Sequence, residues 1–597
     1  MAIIKGGEFL IREVKKEEIF TVEELNEEQI MMRDAVKEFA DREVVPFRER
    51  FEKKDYQFTE ETMRKLGEMG FLGLAVSENY GGSHMGFVST MLATDYISGI
   101  SGSLATAWGA HTGIGTMPIF LYGNEEQKQK YLPDLTAGTK FGAYCLTEPE
   151  AGSDANSGKT TAKLTEDGKH YLINGQKMWI SNAGFAEIFT VFARIGDDKN
   201  ITGFIVEFDK SNPNGIVLGE EEHKLGIRGS STRQVFFNDT KVPVENMLGK
   251  QGDGFKIALN SLNVGRIKLA AGCMDAQRRL VTLSTNYANE RVQFKTTISK
   301  FGAVQLKLAN MALNAFVSES GIYRAAHDIE MKIKELEASG MPTEQAELNA
   351  FEEFAIEAAI LKVFVSEQVQ KASDEGIQIY GGMGFSEETP MESAWRDARI
   401  TRIYEGTNEI NRLLTISMLL KKAMKGQLDL LGPAMEVGKG LMGIPSFETP
   451  DFSELFSEEK VVLANLKKAF LMVAGKAVQT YGMDLENHQQ LILAAADVMM
   501  EIYMAESAVL RAEKLVTSKG EVAVKEQIAM AKLNLYNAVE NINKAGKEAI
   551  LYFSEGDEQR VMLMGLKRFT KYTNLPNAIA LRNIIAAKVI EENGYCF

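Results

Sequence analysis

The chain has 597 residues, of which 45% are hydrophobic and 25% are charged, and this is the balance of a globular protein with a sizeable core. Its net charge of −15 at pH 7 argues against a nucleic-acid partner, because nucleic-acid binding depends on a basic surface. The three cysteines and six histidines lack metal-ligand spacing, so we expect no metal site and no disulfide framework.

Residues 1–140 are predicted to form an N-terminal α domain. Four runs in it carry apolar residues at helical spacing: 23–44, 63–69, 90–97 and 125–132. From residue 141 the pattern changes to short Val-, Ile- and Phe-rich runs between Gly, Asn and Asp turns. Asp167-Gly168 and Asn174-Gly175 are typical of hairpin turns. Residues 141–250 are therefore predicted to form a central antiparallel β domain.

The rest of the chain is predicted to be helical, with one interruption. Helical periodicity returns at about Gly254, which predicts a C-terminal α bundle over 251–425. Residues 426–450 are rich in Gly, Pro and Met and indicate a linker. Residues 451–597 carry Leu, Met, Ala and Ile at spacings of three and four, which predicts an additional helical domain. The predicted fold class is α+β and mainly α.

The segment around Glu405 has features of a general-base site. It precedes an apolar-periodic run over 410–420, whose first N–H groups Thr407 or Asn408 can cap. Gly406 leaves little bulk in front of the carboxylate, as suits a base that must reach a carbon acid in a closed pocket. For these residues alone, a surface turn with an exposed glutamate is the better explanation.

Two further segments carry polar side chains near β-runs. One spans 144–154 and offers hydroxyls at Thr147 and Ser153. The other places Trp179 and Ser181 two residues apart. Taken singly, the first segment is also compatible with a polar turn and the second with a core tryptophan.

Taken together, these motifs closely resemble those of the flavin-dependent acyl-CoA dehydrogenases. The resemblance covers roughly residues 25–425, and its motifs occur in order at compatible spacing. It implies that Glu405 is the catalytic base, which removes the α-proton of an acyl-CoA while the β-hydride passes to the flavin. Some relatives instead carry their Glu immediately before the helix arginine, but that position is Gly265 here.

The resemblance implies FAD as the cofactor, bound without a Rossmann fold. Leu146 and Thr147 are expected at the pyrimidine side of the flavin, and an arginine pairs well with phosphate oxygens because of its planar fork. The set from residue 291 to 305 is expected to reach the FAD of a neighbouring subunit. The residues expected to bind the cofactor are Tyr144, Leu146, Thr147, Ser153, Trp179, Ser181, Arg291, Phe294, Gln305, Gln378, Gly381, Gly382, Thr407 and Glu409.

The same resemblance implies the contacts of the acyl-CoA. The segment Leu262–Arg266 is predicted to open a helix, and its arginine could instead form an ordinary helix salt bridge. The residues expected to contact the substrate are Ser153, Asn263, Arg266 and Gly406.

The very-long-chain branch of the family is the most similar. That branch carries an extra helical domain of this size, and the small residues Ala105 and Gly109 leave room for more methylenes at the pocket floor. This implies a long-chain fatty acyl-CoA substrate, electron-transfer flavoprotein as partner, and a homodimer. The apolar segment 428–447 is a candidate for peripheral membrane contact, and a loop tucked onto the protein is the alternative.

Two alternative functions remain open from the sequence. An acyl-CoA oxidase shares the fold, flavin and base but reoxidises with dioxygen; the ending Gly594–Phe597 differs from a peroxisomal Ser-Lys-Leu address. A flavin-bearing assembly factor for a respiratory complex would not need Glu405.

Without a signal-peptide pattern or a membrane-spanning apolar stretch, we expect a cytoplasmic protein, peripheral at most at the inner membrane face.

Overall fold

The computed structural model describes residues 4–441 and 451–597. Helices dominate these residues, and one mixed sheet lies in the middle of the chain. The predicted α+β, mainly α class is confirmed. Within the described ranges, no helix combines the length and the apolar character needed to cross a bilayer.

The N-terminal region is helical, as predicted. Its helices are α1 (Glu27–Glu43), α2 (Arg48–Glu52), α3 (Tyr56–Glu68), α4 (Phe87–Ser98), α5 (Gly102–Gly109), α6 (Met117–Tyr122) and α7 (Glu125–Ala137). Asn26 and Asn124 start α1 and α7 with capping boxes, because an asparagine oxygen accepts an otherwise unpaired N–H of the first turn. Between α5 and α6 the residues Ala110–Gly115 form a π-helix, a rare geometry that is frequent at functional sites.

The central sheet is mainly antiparallel, as predicted, but it also contains two parallel strand pairs. Its strands are β1 (Gly142–Cys145), β2 (Thr161–Leu164), β3 (His170–Ser181), β4 (Ile188–Ile195), β5 (Thr202–Glu207), β6 (Ile216–Glu221), β7 (Thr232–Pro243) and β8 (Met247–Leu248). The order is β6-β7-β3-β2-β4-β5-β8, and both β1 and β2 pair in parallel with β4. Long connections between these strands return the chain to the same end of the sheet, which parallel pairing requires.

One of the two predicted hairpin turns is wrong. Asp167-Gly168 joins β2 to β3 as predicted, but Asn174 and Gly175 lie inside β3. Gly175 sits at a register shift against β7 and has φ +151°. A Cβ at Gly175 would lie 2.5 Å from Thr160 Oγ1. The glycine therefore marks a β-bulge and a close approach rather than a turn.

The next region supplies most of the walls of the candidate site. Its elements are α8 (Gly254–Gly272), α9 (Met274–Glu290), the hairpin of β9 (Val292–Gln293) and β10 (Thr296–Thr297), α10 (Gly302–Ala338), α11 (Thr343–Glu353), α12 (Ala355–Tyr380), α13 (Met391–Ile400) and α14 (Asn408–Met424). The segment Leu262–Arg266 lies in the middle of α8, so the prediction that it opens a helix is wrong. The helix begins earlier because Gly252, at φ +82°, turns the chain just before Gly254.

The tail is helical, as predicted, but the predicted linker is partly wrong. Its helices are α15 (Leu431–Leu441), α16 (Ser457–Tyr481), α17 (Gln489–Lys519), α18 (Lys525–Phe553), α19 (Gly556–Phe569) and α20 (Ala578–Glu591). The segment 431–441 is helical because Leu430, Ala434, Val437 and Leu441 recur at helical spacing and pack against the core. Residues 442–450 of the predicted linker lie outside the described residues.

Buried ion pairs join helix α17 of the tail to helix α10 of the bundle. Arg324 of α10 donates to Glu506 of α17 at 2.9 Å. Arg511 of α17 pairs with Glu319 of α10 at 2.8 Å and with Glu23 near the N terminus at 2.7 Å. Both arginines are almost fully buried. Removing one partner of such a pair leaves a buried charge unpaired, which typically costs about 3–5 kcal/mol.

Candidate active site

Glu405 stands at the wall of a cavity of about 260 Å³. Helices α4, α5, α8, α9 and α13 and the π-helix contribute most of the other walls. Glu405 has φ +58° and is followed by Gly406 at φ +79°. A side-chain-bearing residue in this left-handed region is strained, and such strain concentrates at functional sites. As predicted for a cap, Thr407 Oγ1 accepts the N–H of Ile410 at 3.2 Å and starts α14.

The carboxylate of Glu405 has the properties of a proton acceptor. Its Oε2 atom is buried and accepts no hydrogen bond from the described residues. Burial raises the Glu405 pKa to about 7, against the opposing charges of Arg266 and Lys362. A carboxyl group whose pKa lies near neutral pH is suited to take a proton and to release it.

Gly265 makes room for this carboxylate. A Cβ at position 265 would lie 2.6 Å from Glu405 Oε2 and 2.9 Å from its Cδ. Both distances are shorter than any normal contact, so a larger residue at 265 would displace the carboxylate. The side chain of Glu405 thus fills the space in front of α8 that a residue at 265 would otherwise occupy.

The backbone around Glu405 is held by groups on two helices. Arg266 Nε donates to Glu405 O at 3.4 Å, and Arg266 Nη1 donates to Asn263 Oδ1 at 2.7 Å. From α12, Lys362 Nζ donates to Gly406 O and to Asn408 Oδ1, each at 2.8 Å. The structure therefore uses Asn263 and Arg266 to position the glutamate, whereas their substrate contacts stay predictions.

Lys362 is a residue that the sequence analysis missed. It is a fully buried ammonium, and burial lowers its pKa to about 7 despite the neighbouring Glu405. The only signal in the sequence was one lysine within the apolar run 355–365. That signal does not reveal what the lysine binds, because its partners lie more than forty residues away in the chain.

The two segments predicted to contact the flavin are brought together. The N–H of Met178 donates to the Thr147 carbonyl at 2.9 Å. Lys177 Nζ donates to Glu148 Oε1 at 2.6 Å and to the Leu146 carbonyl at 3.2 Å, inside the protein. These bonds fix Leu146 and Thr147 beside the strand that carries Trp179 and Ser181.

In this first cluster, formed by Tyr144, Leu146, Thr147, Trp179 and Ser181, the side chains of Trp179 and Ser181 are accessible, whereas Tyr144 and Leu146 are buried. Ser181 lines the same cavity as Glu405. Trp179 is 54% exposed and has φ +61°, an unusual state for a large aromatic residue. The buried Tyr144 hydroxyl has no hydrogen-bond partner among the described residues. Exposed aromatic surface and a hydroxyl without a partner near Glu405 fit a planar, polar ring system such as a flavin.

A second cluster contains six more of the predicted cofactor residues. Stacked rings of Tyr287 and Tyr380, 4.1 Å apart, hold the end of α9 against the end of α12. The residues of this cluster are Arg291 after α9, Phe294 in the hairpin, Gln305 in the first turn of α10, Gln378 in the last turn of α12, and Gly381 and Gly382 just after it. A Cβ at either glycine would meet open space, and Phe294 is 90% exposed. Two glycines with open space in front of their backbone, in the same cluster as an arginine, fit the binding of a phosphate group.

Three predicted residues lie at the edges of these clusters. Ser153 is exposed in the loop after β1, and Glu409 is exposed in the first turn of α14. Thr407 is engaged as the cap of that helix. Their contacts with cofactor or substrate stay predictions.

Across the described ranges, no group of three or more His, Cys, Asp or Glu side chains is placed to hold a metal ion.

This chain is similar to known proteins over most of its length. Residues 26–139, 143–240 and 252–420 match the N-terminal, middle and C-terminal domain models of acyl-CoA dehydrogenases, and residues 465–568 match a further C-terminal domain model of the same name. A "Probable acyl-CoA dehydrogenase" of Bacillus subtilis (strain 168) is 40% identical over 99% of this chain and 98% of its own length.

Two other known proteins are similar to this chain. The crystal structure of an acyl-CoA dehydrogenase complexed with FAD from Bacillus anthracis is 41% identical, covers 100% of both chains and has a TM-score of 0.95. A very long-chain specific mitochondrial acyl-CoA dehydrogenase of Rattus norvegicus is 40% identical over 64% of this chain and 55% of its own length.

Proposed function

The chain belongs to the acyl-CoA dehydrogenase family, and from this premise we propose that it converts long-chain fatty acyl-CoA to the trans-2-enoyl-CoA. The observation that carries the proposal is the buried Oε2 of Glu405, which has no hydrogen-bond partner among the described residues and lies at the wall of a cavity. Its carboxyl pKa of about 7 suits proton abstraction. FAD is the cofactor, and when bound it accepts the β-hydride.

In this mechanism Glu405 removes the α-proton of the thioester. The negative charge that develops on the carbonyl oxygen needs a preorganised donor, and we assign that part to the backbone N–H of Glu405. Arg266 and Lys362 hold the carbonyl groups of residues 405 and 406. Because those carbonyls are fixed, the neighbouring N–H and the carboxylate keep their relative positions.

The direct test uses the purified protein. It should be yellow, and acid should release FAD rather than FMN, as the open space in front of Gly381 and Gly382 suggests. Under anaerobic conditions, palmitoyl-CoA should bleach the flavin absorbance. A chromophore with the mass of FMN, or a flavin that stays oxidised with palmitoyl-CoA, contradicts the proposal. Oxygen uptake during turnover without another acceptor would favour the oxidase alternative.

The pH dependence of kcat/KM should report the Glu405 carboxyl. The base works only when deprotonated, so kcat/KM should fall about tenfold per pH unit as the pH drops below a pKa near 7. The measurement is kcat/KM with palmitoyl-CoA from acidic to alkaline pH. A profile that stays flat down to about pH 5 shows that burial does not raise this pKa.

The acyl-chain preference should favour long chains. Ala105 and Gly109 line the cavity as predicted, and Gly113 lies there too. A Cβ at Gly109 would meet no atom within 4 Å, so the floor is open. We expect kcat/KM to peak at chains of about fourteen carbons or longer in a series from butyryl to stearoyl-CoA, a length inferred from pocket volume. Gly109→Leu should move the optimum to shorter chains, and a wild-type maximum at butyryl or octanoyl would contradict this inference.

We extend the proposal to partners and location. The expected electron acceptor is electron-transfer flavoprotein, and the expected assembly is a homodimer in which the second cluster binds the partner subunit's FAD. Leu431 and Met435 expose apolar surface on α15, which supports peripheral contact at the inner membrane face. We place the protein in the cytoplasm.

A further inference from the structure

Lys268 is a charged residue that the proposed reaction does not use. It lies on α8 three residues after Gly265, and it lines the cavity of Glu405. It also lines a neighbouring cavity of about 300 Å³. The lysine side chain therefore lies between the two cavities and lines both of them.

The ammonium group of Lys268 is poorly compensated. Its side chain is buried, and its one hydrogen bond is to Thr112 Oγ1 in the π-helix, at 2.9 Å. Its Nζ also lies 4.7 Å from the centre of the Trp108 ring. Among the described residues, no carboxylate lies within salt-bridge distance of it. Burial alone lowers the pKa of Lys268 to about 7.

Such a group is unfavourable next to a purely hydrocarbon ligand. A lysine ammonium has three donors, and only one of them has a partner here. A buried charge without a counter-charge costs free energy unless a ligand supplies an acceptor. In the cavity of Glu405, residues such as Gly109, Gly113 and Leu269 are small or apolar. They leave space beside the ammonium. The carboxylates that line the neighbouring cavity, Glu330, Glu337 and Glu347, are not within salt-bridge distance of Lys268.

We propose that Lys268 recognises a carboxylate carried at the distal end of the acyl chain, so that the cavity also accepts ω-carboxyacyl-CoA esters. This inference rests on the proposed function, because the thioester end must lie at Glu405. A carboxylate is favoured over a neutral acceptor, since a charge-assisted hydrogen bond is about twice as strong as a neutral one. Only one chain length should place the carboxylate against Lys268.

The test compares two substrate series in the FAD-loaded protein. ω-Carboxyacyl-CoA esters of increasing length are measured against plain acyl-CoA esters of the same length, in the wild type and in Lys268→Met. Methionine keeps an unbranched stem but removes the charge. At one length the wild type should prefer the ω-carboxy ester, and Lys268→Met should lower the ratio of the two kcat/KM values about ten- to a hundredfold.

Matched controls separate the charge from the fold. Lys256→Met, at an exposed position on the same helix, should leave the ratio unchanged, and Lys268→Arg should retain the preference. Should Lys268→Met not fold, Lys268→Gln takes its place. Affinities of S-alkyl-CoA analogues, which cannot be dehydrogenated, should show the same dependence on Lys268 by calorimetry.

Two outcomes overturn different claims. A wild type without preference for ω-carboxy esters at any length, or a ratio unaffected by the loss of Lys268, overturns this inference. A wild type that turns over neither series overturns the proposed function.

Discussion

Glu405→Gln is expected to lower the rate of flavin reduction by palmitoyl-CoA by about 10²- to 10⁴-fold, the range that a positioned general base contributes. The amide is nearly isosteric and cannot accept the α-proton. It should still fit against Gly265, so FAD content and melting temperature should stay close to those of the wild type. The measurement is anaerobic stopped-flow reduction of the bound flavin.

A control variant tests whether the loss is specific. Glu352→Gln makes the same chemical change at an exposed position on α11 and should reduce its flavin at the wild-type rate. A Glu405→Gln protein that reduces its flavin at a near-native rate would place the base elsewhere.

Ending the chain at Lys425 is expected to give an insoluble or aggregated protein. The truncation removes the partners of Arg324 and Glu319 on α10. It also exposes apolar residues such as Ile416 and Leu419 of α14, which are buried in the full chain. Light scattering should report a dimer for the full-length protein and large aggregates for the truncated one. A soluble truncated protein, or a full-length tetramer, would contradict this expectation.

A single substitution isolates the electrostatic part of that effect. Arg511→Met leaves Glu319 and Glu23 without this partner and should lower the free energy of unfolding by about 3–5 kcal/mol. Arg560→Met removes a pair that is mostly exposed on both sides and should change it by less than about 1 kcal/mol. Chemical denaturation of both variants measures the difference. Equal effects would show that burial of the Arg511 cluster is unimportant.

Much of the helical architecture could be predicted from the sequence, because long periodic runs leave little choice. The run ahead of Pro46 became α1, and the predicted cap Thr407 starts α14. The strands were harder to predict from the sequence. β2 and β6 are short and carry mostly exposed or half-buried residues. The alternation of apolar and polar residues that identifies a strand is therefore weak in both. Asn174-Gly175 has the composition of a turn, yet pairing with β7 keeps it within a strand.

In the site, too, features set by the local sequence could be predicted, whereas contacts between distant helices could not. Local features mark Glu405, which sits between an aromatic residue and a glycine ahead of a capped helix. Its raised pKa depends on burial in the folded chain. The support from Lys362 could not be predicted, because it comes from another helix and depends on packing. The same holds for Lys268, whose lack of a counter-charge is visible only once its surroundings are known.

The ion pairs between α10 and the tail also bear on how the chain is made. Arg324 and its partner Glu506 are 182 residues apart in sequence. At a synthesis rate of about 5–20 residues per second, the arginine leaves the ribosome roughly 10–40 s before its carboxylate does. During that interval Arg324 lacks Glu506, the carboxylate with which it forms a buried ion pair in the finished protein. The contact between α10 and α17 can therefore form only in the last quarter of translation.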